Sequence, residues 1–178
     1  MKILYIIAGA NGSGKTTFAK ELLKVKNLVW LNADEIKFNE NVTDIKAGKL
    51  FLQRLNDNLD KNNNILIEST ISGKYIFDIV KKAKEKKYVI CFYYLYISFV
   101  EENIERVKIR FLSKIGHNVP ENDIIRRYSR SIKNFCKLKE LVDSWEILVN
   151  NDEFELVANN ETIYDEEIYN EIRYKCDS

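Results

Sequence analysis

The octapeptide "GANGSGKT", Gly9 to Thr16, sets glycines, a lysine and a hydroxyl at the spacing G-x-x-x-x-G-K-[ST]. An apolar run, "KILYIIA", precedes it and a helical pattern follows, as a phosphate-binding turn requires. Gly12 and Gly14 permit backbone conformations and close approaches that a Cβ would block. The N–H groups from Gly9 through Asn11, Gly12, Ser13 and Gly14 to Lys15, Thr16 and Thr17 can then converge on phosphate oxygens at a helix N-terminus. In such a loop Lys15 neutralises the β- and γ-phosphates, and the Thr16 hydroxyl holds Mg²⁺. The expected ligands are therefore a nucleoside triphosphate, ATP or GTP, and Mg²⁺.

A phosphate loop alone does not separate a kinase from a switch or a motor. The acids decide. "LNADEI" puts Asp34 just beyond a short strand, at the carboxyl edge where α/β sheets bind ligands. There it can take the proton of an attacking hydroxyl, or it can simply cap the helix that "DEIKF" suggests. "ILIEST" closes a buried strand with Glu68 and sets Thr70 two residues on. Glu68 can organise Mg²⁺ or bind a substrate hydroxyl; it can also be an acid merely emerging at a strand end.

Basic residues gather late in the chain. Arg106 to Lys139 holds ten Lys/Arg against two acids, whereas Glu140 to Ser178 holds twelve acids against two bases. Such asymmetry is either a solvated face or a local site for a phosphorylated small molecule. If residues 100–114 are helical, Val100, Ile104, Val107 and Phe111 share a face and Arg110 borders it. In the next helix Ile124, Tyr128, Ile132 and Phe135 form the stripe, with Arg127 beside it and Arg126 and Arg130 nearly opposite. Arg110 and Arg127 are thus the arginines expected to face a transferring phosphoryl group. The turn between these helices, "IGHNVP", contains His117, which suits either a structural hydrogen bond or a ligand contact.

These groups need a scaffold, and the pattern supplies one. Strands "KILYIIA", "LVWL", "NNNILIE" and "YVICFYYLYI" alternate with helices at about 15–24, 43–61, 74–87, 100–114 and 121–142. In the helix over 43–61, Ile45, Leu50, Leu55 and Leu59 are expected near one face. A β pair, "SWEILVN" and "FELVAN", and a polar helical tail complete the chain. The expected fold class is α/β, with a mostly parallel sheet flanked by helices and a helical lid at about 106–130. One domain over residues 1–178 suits the length.

A net charge of +1 gives no field for nucleic acid, and no apolar run is long enough to span a membrane. The opening residues are too short for a secretory leader. Cys91, Cys136 and Cys176 are widely spaced and odd in number, which predicts reduced thiols and a cytoplasmic protein.

Taken in order, "GANGSGKTTFA", "LNADEI", "AGKLFLQRL", "IESTISG", "YLYIS", "ERVKIR", "GHNVPENDIIRRYSRSIKNF" and "SWEILVNND" resemble the zeta toxin-like P-loop kinases over about Lys2 to Asn159. The resemblance implies a P-loop nucleoside-triphosphate hydrolase fold of the nucleoside-kinase-like kind. It also implies γ-phosphate transfer to a sugar hydroxyl. Zeta toxins proper phosphorylate the 3-hydroxyl of the amino sugar in UDP-N-acetylglucosamine, and an antitoxin protein is the partner that the likeness suggests. By position it assigns Lys15 to the phosphates, Asp34 to the catalytic base, and Glu68 with Thr70 to the acceptor. Arg110 and Arg127 fall to the transferring phosphate.

Overall fold

In a computed structural model, residues 1–113, 119–151 and 153–177 are described. Strand β1 (Ile3–Ala8) is apolar on both faces and lies inside the sheet. Its parallel neighbours are β3 (Ile65–Ser69) and β4 (Val89–Tyr96). Beyond β3 lies the three-residue edge strand β2 (Val29–Leu31); beyond β4 lie β5 (Ser144–Asn150) and the antiparallel β6 (Phe154–Asn159). The order is β2-β3-β1-β4-β5-β6. The five parallel strands therefore end at one edge, and every loop that leaves this edge can reach the turn after β1.

Side-chain alternation along β1 divides the core. Leu4 and Ile6 pack with α3 (Asp44–Asp60), α4 (Tyr75–Glu85), α6 (Glu121–Leu138) and α7 (Glu166–Asp177). Tyr5 and Ile7 face α1 (Lys15–Val25) through Phe18, Ala19 and Leu22. Phe135 fixes α6 to the first of these layers, stacked on Tyr94 at 4.4 Å between ring centroids and edge-on to Trp145 at 6.2 Å. Ile104 and Val107 of α5 (Val100–Leu112) meet Ile124 of α6 in a small separate cluster.

The structure departs from the expected elements in five places. A helix, α2 (Ala33–Glu40), occupies a segment with only a possible start signal. In α3 the buried row is Ala47, Phe51, Leu55 and Leu59. Ile45 lies two residues, about 200°, from Ala47 and is 75% exposed. Helix α6 stops at Leu138, where a turn donates Leu141 N–H back to the Leu138 carbonyl at 2.8 Å. Phe111 lies one turn beyond the buried Ile104–Val107–Ile124 cluster and is 46% exposed. Cys136 and Cys176 form a disulfide between α6 and α7, with Cα atoms 6.1 Å apart, which corrects the expectation of three reduced thiols; Cys91 is free. Among the described residues no helix is long and apolar enough to cross a membrane.

Candidate active site

The loop between β1 and α1 holds three glycines at positive φ: Gly9 at 146°, Gly12 at 84° and Gly14 at 95°. Its neighbours leave no room for side chains. A Cβ on Gly12 would lie 2.8 Å from the Asn103 carbonyl oxygen, and one on Gly14 would collide with the Asn150 side-chain amide. Those same residues tie the loop down. Asn103 Nδ2 donates to the Asn11 carbonyl at 2.6 Å, and Asn150 Nδ2 donates to the Ser13 carbonyl at 3.3 Å. Arg106 then holds the Asn150 carbonyl at 2.9 Å. Two backbone acceptors of the loop are thereby occupied from α5 and β5, and within the loop Ser13 N–H donates to the Ala10 carbonyl at 3.3 Å.

Thr16 and Glu68 meet directly, with Thr16 Oγ1 donating to Glu68 Oε2 at 2.8 Å. Glu68 is only 8% exposed, and its other oxygen accepts from Trp30 Nε1 at 2.8 Å. A buried carboxylate fixed at both oxygens is a built feature, unlike an acid merely emerging from a strand. The Lys15 ammonium folds back on the Ala10 carbonyl at 2.8 Å. Burial lowers its pKa to about 8. The charges of Glu68 and Asp34 oppose that shift, and those of Arg110 and Arg127 reinforce it. The lysine thus feels two carboxylates and two guanidiniums.

Helix α2 settles how Asp34 is used locally. Its N-cap is Asn32, whose Oδ1 accepts from Asp34 N at 2.8 Å and Glu35 N at 3.4 Å. Asp34 is therefore free of capping duty. A cavity of about 90 Å³ is lined by Asp34, Lys15, Thr16, Glu68, Thr70 and Arg110, among others. Whole-nucleotide pockets run to about 300–1,000 Å³, so this one fits the reacting groups and not an entire ligand.

Of the residues expected in the phosphate loop, Asn11, Gly12, Gly14, Lys15 and Thr16 line this cavity. Gly9, Ser13 and Thr17 do not. Gly9 packs under the Leu95 carbonyl, Ser13 is wholly buried, and Thr17 is exposed on α1. Arg127 reaches the loop at Asn11 Oδ1, 3.5 Å from its Nη1. Arg126 instead pairs with Asp123 at 2.8 Å on the exposed side. His117 lies outside the described residues.

Several site residues carried no motif. Asn103 is fully buried on the apolar stripe of α5, and an asparagine at such a position is itself a signal. Asn150 ends β5 at the ligand edge, a placement that topology reveals but spacing does not. Ser69 lines the cavity, accepts Ile71 N–H at 2.9 Å and shares a hydrogen bond with Tyr75 Oη at 2.7 Å. Ile71, a β-branched residue at φ 45°, is held there while Asn134 of α6 donates to its carbonyl at 2.6 Å. The segment that carries Thr70 is thus kept in a strained conformation by neighbours on α4 and α6.

An oxygen-only divalent site fits this donor set. Thr16 and Glu68 present a hydroxyl and a carboxylate side by side, as Mg²⁺ prefers when phosphates and waters complete its shell. Among the described residues no cluster of three His, Cys, Asp or Glu offers a protein cage for a metal.

The chain is similar to known proteins in sequence and in fold. The zeta toxin family model matches residues 1–162. An uncharacterized protein of Haemophilus influenzae is 31% identical over 125 residues, which cover 67% of this chain and 88% of that protein. The structure from work on the PezAT chromosomal toxin-antitoxin system of Streptococcus pneumoniae superposes with a TM-score of 0.70 at 16% identity, over 99% of this chain and 86% of that one. AvrRxo1-ORF1:-ORF2 with ATP gives 0.72 at 16% identity over 97% of this chain, which spans 63% of the matched chain. Shikimate kinase from Acinetobacter baumannii, in complex with shikimate, gives 0.53 at 18% identity, over 86% of each chain. The sheet order and these likenesses make the fold that of P-loop kinases, and the family match states the rest: the chain belongs to the zeta toxin family.

Proposed function

We propose that this protein transfers the γ-phosphate of ATP to a hydroxyl of a small molecule, with UDP-N-acetylglucosamine as the foremost acceptor. One observation carries the reading. Asp34, relieved of capping by Asn32, faces Lys15, Thr16 and Glu68 across a cavity that Thr70 and Arg110 also line. A base, a phosphate-binding lysine and an acceptor-side pair are what phosphoryl transfer needs, since the protein contributes mainly position and charge.

Asp34 takes the proton of the acceptor hydroxyl as the hydroxyl oxygen bonds to the γ-phosphorus, while the bond from that phosphorus to the β,γ-bridging oxygen breaks and ADP leaves. Lys15, with Arg110 and Arg127, offsets the charge on the phosphoryl group in flight. Glu68 and Thr70 orient the acceptor, and Glu68 also helps Thr16 hold Mg²⁺. Held by Thr16 and Glu68, that ion would supply charge withdrawal from the phosphate oxygens.

The ATP named with AvrRxo1-ORF1:-ORF2 supports ATP as donor. The toxin-antitoxin system named with the pneumococcal structure supports an antitoxin partner here. The reading places the protein in the cytoplasm, where both nucleotides are made, and treats residues 1–178 as one kinase domain. The test is mass spectrometry of the acceptor after incubation with ATP and Mg²⁺. UDP-N-acetylglucosamine should gain one phosphoryl group. Phosphorylation of a nucleoside or an antibiotic instead would move the assignment to that acceptor. Tight ATP binding with no phosphorylated product across the panel would make the protein a nucleotide-binding switch.

A further inference from the structure

Near the carboxyl end of β4, three elements meet at one ammonium. Lys175 Nζ on α7 lies 2.7 Å from the Ser98 carbonyl, 2.8 Å from Tyr96 Oη, 2.9 Å from Tyr128 Oη and 2.6 Å from Glu171 Oε1. Its three protons face four acceptors, two of which also receive a tyrosine hydroxyl: Glu171 Oε1 from Tyr96 at 2.9 Å and the Ser98 carbonyl from Tyr128. Burial works against the charge, but Glu171 and Tyr128 outweigh it and the pKa is raised. Tyr128 Oη in turn shares its proton between the Ile97 carbonyl at 2.8 Å and the Ser98 carbonyl at 2.7 Å. The next residue, Cys176, is bonded to Cys136 on α6. None of these groups lines the candidate active site.

Their position gives them a consequence there. Tyr128 follows Arg127, the residue of α6 that reaches Asn11. Ser98 lies two residues before α5, which carries Asn103 onto the loop and Arg110 into the cavity. One ammonium therefore ties α6 to the turn from which α5 departs. A 3.5 Å contact such as Arg127–Asn11 sits at the limit of a hydrogen bond, so a small shift of α6 decides whether the guanidinium reaches the loop.

We propose that Lys175 is a positioning residue for phosphoryl transfer: through Tyr128 and the Ser98 carbonyl it sets where α6 presents Arg127 to the phosphate loop. This rests on the kinase reading only in that Arg127 must meet nucleotide phosphates. The test is a double-mutant cycle in the full chain with Lys175→Met and Arg127→Ala. Three quantities are measured: affinity for ATP with Mg²⁺ by calorimetry, ADP release with UDP-N-acetylglucosamine, and the melting temperature. Each single variant should weaken ATP binding by about tenfold, and the double variant should match Arg127→Ala within about twofold. The fall in melting temperature from Lys175→Met should be the same in both backgrounds, which separates positioning from general loosening.

Equal losses of affinity from Lys175→Met in both backgrounds overturn the proposal. So does unchanged affinity in either single variant. If Lys175→Met does not fold, Tyr128→Phe removes only the hydroxyl and enters the same cycle with the same criteria. Absence of ADP release that depends on UDP-N-acetylglucosamine counts against that acceptor, while the binding cycle still decides the role of Lys175.

Discussion

Asp34 and Lys15 carry the chemistry proposed for this site, and they fail differently when changed. Asp34→Asn keeps the volume and removes the base. It should cut acceptor-dependent turnover by roughly 10²–10⁴-fold, with ATP affinity nearly unchanged in a calorimetric titration. Lys15→Ala removes a charged donor to phosphate and should weaken ATP binding by about tenfold or more. The lysine also sets a pH dependence. Burial lowers its pKa to about 8, so the charged form is present below that value and lost above it. ATP affinity should therefore be flat below pH 7 and decline as pH rises through about 8, in titrations across that range. Bound phosphate draws the proton back, so the complex should lose its proton at higher pH than the free protein. Unchanged affinity up to pH 10 would count against Lys15 as the phosphate contact.

Among the elements, the parallel strands and the loop before α1 were legible in the sequence because their signals are local. "KILYIIA" and "ILIE" are short apolar runs closed by turns, and the glycine spacing demands a phosphate-type loop. Helix phase was less legible. The α6 stripe of Ile124, Tyr128, Ile132 and Phe135 is buried as its spacing predicts. For Ile45 and Phe111, the helical period could not say which rows would find a partner layer. Asn103 and Asn150 could not be read as clamps, since only the β4–β5 pairing and the placement of α5 bring them to the loop. That clamping is testable through the glycines. Gly14→Ala puts a Cβ into the Asn150 amide at a φ that disfavours side chains, and nucleotide affinity should fall by tenfold or more, about 1.4 kcal/mol. Phe135→Ala should instead destabilise the chain by about 3–5 kcal/mol in urea unfolding, because it empties the stack under Tyr94 and Trp145.

For the molecule as a whole, the sheet order places β2, β3, β1, β4 and β5 so that five different loops address one edge. This is how a small chain brings Asn32, Thr70, Asn103, Arg127 and Asn150 to one phosphate loop from separate places in the sequence. The cysteine pattern misled because pairing depends on α7 folding back on α6, which no spacing rule encodes. Thiol titration of the unreduced protein under denaturing conditions should give one reactive cysteine, Cys91, and three after reduction. The central claim concerns the transfer reaction itself. Its most direct measurement is the rate of ADP release with ATP and Mg²⁺, with and without UDP-N-acetylglucosamine, for the unaltered chain and Asp34→Asn. Release should rise when the acceptor is added, and that rise should shrink by roughly 10²–10⁴-fold in Asp34→Asn. Acceptor-stimulated release that persists undiminished in Asp34→Asn would contradict that claim.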